Sequence, residues 1–148
     1  MTNGAPAQRR VSICLVGLAA ALIVVGMSSG TLLRHGVQIA PIVVALAVMA
    51  RHPRGGAYGA LPIFAIWTVL VVLIWLYVLG IARVVTGSFS PTELVCTVVI
   101  AGCSLAGAGS CITLARPFRL AQVVTGLALF ALQVAALWVS FLGPIAHR

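Results

Sequence analysis

The chain has 148 residues, 62% of them hydrophobic and only 7% charged, with a mean hydropathy of +1.21 and a formal net charge of +8 at pH 7. A soluble domain carries about 25% charged residues, so this chain lacks the polar surface to coat a water-soluble globule. All nine basic residues are arginines set between apolar runs, against one acid, Glu93; with no basic stripe and no interleaved aromatics, the charge reads as membrane topology and headgroup contact, and nucleic acid is not an expected partner.

Five apolar runs follow in chain order. The first covers roughly 11–29, behind Arg9 and Arg10. It is long and lacks an A-x-A-like cleavage site, so an uncleaved membrane helix is expected rather than a signal peptide. The second, 31–50, carries Arg34, His35 and Gln38 in its first third, with Pro41 just after. "RHPRGG", Arg51 to Gly56, is expected to stop it and make a turn. The third run is 61–85. "SPTE", Ser90 to Glu93, is a capping box with proline at the first helical position, and it opens the fourth run, 92–114. There Cys103, Gly107 and Cys111 recur every four residues, as do Gly102, Ala106 and Ser110. Small residues on several faces let backbones approach closely and predict a central helix. The fifth run, 120–142, is stopped by Gly143 and Pro144.

Each run is about 20 residues, enough at 1.5 Å per residue to cross a hydrocarbon core about 30 Å thick. The expected fold is therefore all-α: one domain over 1–148, a bundle of five transmembrane helices, or four if the polar second run does not span. The arginines favour five. A cytoplasmic N-terminus puts Arg9, Arg10, Arg51, Arg54, Arg116 and Arg119 inside and Arg34, Arg83 and Arg148 outside, which obeys the positive-inside rule. Four spans would separate Arg116 and Arg119 from the other inside arginines. The use of arginine for every lysine is the mark of a GC-rich genome. The expected location is a bacterial cytoplasmic (inner) membrane, N-terminus inside and C-terminus outside.

A candidate ligand site follows from depth. Gln38 falls about 10 Å below the outer surface, and Gln133 at about the same depth. Glutamine cannot snorkel from there as arginine can, and a buried amide needs partners. Gln122, Thr125, Gln133 and Ser140 share one face of the fifth helix, since eleven residues bring a net rotation of roughly 20°. Pro41 has no N–H, so the Val37 carbonyl loses its helical partner. These features point to a polar pocket in the outer leaflet, formed by Arg34, His35, Gln38 and Gln133 and lined or roofed by Trp75, Tyr77, Arg83 and Glu93. The bland alternatives are a structural Gln38–Gln133 hydrogen bond, headgroup anchoring by Arg83, a capping duty for Glu93 and interfacial packing of Trp75 and Tyr77.

Other chemistry is narrowed by composition. Cys14, Cys96, Cys103 and Cys111 lie inside apolar runs without a CxxC pair, so they read as packing residues and no metal is expected. A haem would need His35 and His147 on facing helices, yet His147 follows a helix-breaking proline. One acid excludes paired-carboxylate hydrolysis and carboxylate-based pumping. No cofactor and no catalytic residue are assigned. The leading expectation is a small non-catalytic membrane protein: a subunit, assembly factor or lipid-binding partner of a larger complex, contacting lipids and a protein partner or its own copies. The alternative is a small membrane enzyme or carrier for an amphiphile such as a quinone, isoprenoid or lipid headgroup. A channel ranks third, because five helices must oligomerise to enclose a wide pore.

Overall fold

The structure, a computed structural model, describes residues 4–84, 87–114, 120–142 and 145. They form five helices: α1 Gly4–Ser28, α2 Leu32–Arg51, α3 Pro53–Val78, α4 Pro91–Leu114 and α5 Leu120–Ser140. All five are long and apolar enough to cross a membrane. The protein is a multi-pass helical bundle, and the polar second segment is one of its spans. Arg116, Arg119, His147, Arg148 and the Gly143–Pro144 stop lie outside the described residues.

The helix ends differ from expectation where backbone chemistry overrides hydropathy. Helix α1 starts at Gly4, because nothing before Val11 forbids helix and Pro6 is tolerated in a first turn. Only His52 separates α2 from α3, so "RHPRGG" is not a turn of several residues. Pro53 takes the first helical position, and His52 before it is extended at φ −138°. Helix α3 stops at Val78, short of the expected 85. Gly80 adopts φ +72°; its N–H reaches Tyr77 O, and Ile81 N–H reaches Leu76 O, both at 2.9 Å. This is a Schellman stop. The α1–α2 corner has the same form, with Gly30 at φ +69° and Thr31 N–H donating to Gly26 O at 2.9 Å. Gly80→Val forces a β-branched residue into the left-handed region and is expected to cost about 1–2 kcal/mol. A thermal-unfolding series in detergent reads this as a lowered midpoint; an unchanged midpoint would deny the stop its role.

Around the bundle the order is α1, α4, α3, α5, α2 and back to α1, and α3 also touches α1 and α2 across the middle. The hub is therefore α3, not α4 as the small-residue pattern suggests. Among the described residues α4 packs only on α1 and α3. Its Cys103 sulfur would stand only 2.9 Å from a Cβ on Gly17, and its Gly107 receives the Phe64 ring. The other row, Gly102 and Ala106, faces out. Two rows of small residues signalled two packed faces, and the bundle uses one.

Glycine sets how closely α3 sits on its neighbours. A Cβ on Gly56 would overlap the Met49 backbone of α2, and one on Gly59 would overlap Leu129 of α5. Without a hydrophobic drive between helices in lipid, such close contacts supply much of the association energy. Pro62, inside α3, removes the helical donor from the Tyr58 carbonyl. Gly126 of α5 packs on that oxygen, where a Cβ would stand only 3.1 Å away.

Candidate functional site

Call the end of the bundle where α1 begins the near end, and the end holding the α1–α2 and α3–α4 connections the far end. Most of the eight candidate residues lie towards the far end, but they do not form one pocket. They fall into two groups, plus a single deeper residue.

The first group fastens α2 to α5 and to the α1–α2 corner. Gln38 is buried, and its Nε2 donates to Ser140 Oγ at 2.9 Å. Ser140 in turn donates to Leu137 O at 2.7 Å. The guanidinium of Arg34 lies 4.3 Å from the centroid of the Phe141 ring, a cation–π contact that holds the end of α5. His35 Nδ1 lies 3.0 Å from Thr31 O and 3.1 Å from Thr31 Oγ1. The same ring presses on α1 at Gly26, where a Cβ would stand 3.3 Å from Nδ1.

The second group closes α3 on α4. Trp75 Nε1 donates to Thr97 Oγ1 at 3.1 Å. Tyr77 Oη donates to Gly87 O at 2.9 Å, and its ring meets Phe89 edge-on at 6.0 Å. Glu93 Oε2 accepts from Ser90 N–H at 2.6 Å and from Ser90 Oγ at 2.9 Å, while Ser90 Oγ accepts from Glu93 N–H at 3.3 Å. That is the capping box read in "SPTE". Arg83 is exposed on the α3–α4 connection.

The deeper residue is Gln133. It is 0% exposed, and neither Nε2 nor Oε1 has a hydrogen-bond partner among the described residues. A direct Gln38–Gln133 bond is not what the structure shows. Pairing of Gln38 with Ser140 puts Gln133 seven residues back along α5, about 10 Å deeper than Gln38. The equal-depth reading failed because both helix ends were placed by hydropathy alone. Of the other polar residues on α5, Gln122 Oε1 is buried without a partner among the described residues, whereas Thr125 is half-buried and donates to Ala121 O.

Two more groups share the condition of Gln133. Trp67 Nε1 and Ser104 Oγ are buried without partners among the described residues. Sequence reasoning passed over both. Trp67 did carry a signal, since a tryptophan in mid-helix lies far from the interface where its N–H is usually satisfied. Ser104 was hidden among the small residues of α4.

Chemically, the far-end groups are committed to helix ends and helix pairs. All four cysteines are free thiols, and the described residues bring together no cluster of three metal-ligating side chains. What fold and site define is a class, the multi-pass helical membrane protein, here with a fully enclosed amide at Gln133 that has no partner among the described residues. Comparison of the chain with family models, curated proteins and solved structures finds no match in any of the three.

Proposed function

We propose that the protein is a small non-catalytic subunit or assembly partner of a larger complex in a bacterial cytoplasmic membrane, N-terminus inside, and that a transmembrane helix of the partner packs on the outward face of α4. The observation behind this reading is a smooth stripe. Gly102, Ala106, Gly109 and Thr113 are all exposed, and steps of four, three and four residues keep them within an arc of about 60°. A Cβ on Gly102 or Gly109 would meet nothing within 4 Å. Beside the stripe an open groove of about 690 Å³ runs between α4 and α1, with Ala7, Arg10 and Cys14 on its α1 side. Small residues at this spacing are how helices approach each other in lipid, where apolar surface alone does not drive association. Arg10 at the near end of the groove favours a partner with an acidic residue there, which this chain, with its single acid, scarcely supplies.

A photoreactive residue tests the surface. Placed at Gly109 in native membranes, it should give one discrete protein adduct; placed at exposed Val69 on α3, it should give lipid adducts only. Lipid adducts alone at both positions would end the reading.

A second reading, binding of an anionic amphiphile, draws on one observation: Arg34 Nε is buried without a partner among the described residues, leaving an N–H for a headgroup oxygen. It requires that Arg34→Leu strip co-purifying anionic lipid from the protein. Equal lipid content in the variant would dismiss it.

A further inference from the structure

Helix register brings the unpaired groups to nearly one level, with Trp67 of α3 between Ser104 of α4 and Gln133 of α5. Phe64 lies against Gly107, and Trp75 bonds Thr97. Helices α3 and α4 run in opposite directions, so Trp67 and Ser104, each three residues from the Phe64–Gly107 contact, stand at the same level. Gly59 lies against Leu129, and α3 and α5 run in the same direction. Four residues further on, Gln133 is level with Ile63, about one helical turn from Trp67. Exposures of 0% for Gln133 and Ser104 and 6% for Trp67 turn all three inward. Around them the core is apolar, with Ile42, Ala45, Ile63 and Phe64 fully buried.

Enclosed polar atoms in such surroundings are costly unless something bonds them, and in the hydrocarbon region bulk water cannot. Their chemistry defines the guest. Gln133 Nε2 and Trp67 Nε1 only donate, Gln133 Oε1 only accepts, and Ser104 Oγ does either. A carbonyl, a quinone oxygen included, accepts alone and leaves Gln133 Oε1 unpaired. An ammonium donates alone and leaves the indole N–H unpaired. An O–H group does both.

We propose that the interior of the bundle, at mid-depth between α3, α4 and α5, binds an O–H group that donates to Gln133 Oε1 and accepts from Trp67 Nε1 or Gln133 Nε2. Its source is water or the hydroxyl of a membrane alcohol. Water suits full enclosure, because a buried water typically makes about three hydrogen bonds to otherwise unpaired groups. An alcohol additionally needs a path for its chain between helices. The site is separate from the outward face of α4 and does not depend on the partner reading.

The test uses the full ¹⁵N-labelled protein in lipid nanodiscs and reads proton exchange at the Gln133 carboxamide and the Trp67 indole N–H. The two signals are assigned through Gln133→Leu and Trp67→Phe. Cross-peaks from both to the water resonance support the site with water as guest. Cross-peaks to a separate hydroxyl, together with one equivalent of an alcohol in the organic extract, support it with a lipid guest. In Gln133→Leu the guest loses its acceptor, and the exchange rate at Trp67 should fall about tenfold or more. Absence of any O–H cross-peak at Gln133 overturns the proposal. An unchanged Trp67 rate in Gln133→Leu overturns the sharing of one guest.

Discussion

Replacing Gly107 by leucine is expected to abolish accumulation of the folded protein. A Cβ at this position already overlaps the Phe64 ring edge, and leucine adds three more carbons in the same direction. Phe64 has nowhere to go: it is 0% exposed and sits on α3, the helix that touches every other. Overpacking a well-filled core costs about 1–3 kcal/mol, and more where neighbours cannot move. Here α3 and α4 would have to separate, which also breaks the Trp75–Thr97 bond, so the upper end of that range or beyond is expected. Quantifying monodisperse protein after extraction measures the effect. The partner change Phe64→Ala should restore part of the yield in the Gly107→Leu background, because it reopens the colliding volume. Wild-type yield of the single variant would mean that α4 does not seat on Phe64.

Gly56→Val is expected to be comparably severe for a different reason. The obstacle is backbone: a Cβ would overlap Met49 Cα and stand 2.7 Å from Met49 N. A flexible side chain can rotate aside, but a helix backbone joined through His52 alone cannot. The α2–α3 corner would have to open, lifting Met49 and Ala57 from full burial. A loss of about 3 kcal/mol or more is expected, read as a shift in the unfolding midpoint by denaturant titration in detergent. Gly55→Val, whose Cβ has only ordinary contacts with His52 and Val48 at 3.6 and 3.8 Å, is the control and should cost far less.

These cases mark what the sequence made legible. The five spans were visible because each is a run long enough to cross a bilayer, and the arginines sorted the polar second run as a span. "SPTE" announced its own cap. The same reading missed that Gly80 ends α3, although Gly80 follows an apolar run closely enough to be a left-handed stop; hydropathy carried the segment to 85 because Ile81, Ala82, Val84 and Val85 are apolar around Arg83. It also treated Gly55 and Gly56 as turn residues, when Gly56 serves close packing within a helix. The hub was misassigned for a related reason. Small residues show where a neighbour can approach, not whether one does, and α3 is the hub despite its bulky Phe64 and Trp67. The site residues were legible one by one as polar groups at depth. Their pairing was not, because an error of a few residues at a helix end slides Gln38 from Gln133 to Ser140.

The outward face of α4 is where these lines meet: it is open, smooth and unneeded by the fold. Gly109→Leu therefore offers the most direct measurement. Its Cβ meets nothing in the folded chain, so the unfolding midpoint should stay within about 0.5 kcal/mol of wild type. The particle mass after mild solubilisation of native membranes, by light scattering, should by contrast drop from that of a complex to that of the chain alone. A variant that keeps the wild-type particle mass, or a wild-type protein that already runs as a single 15.3 kDa chain, would contradict the account.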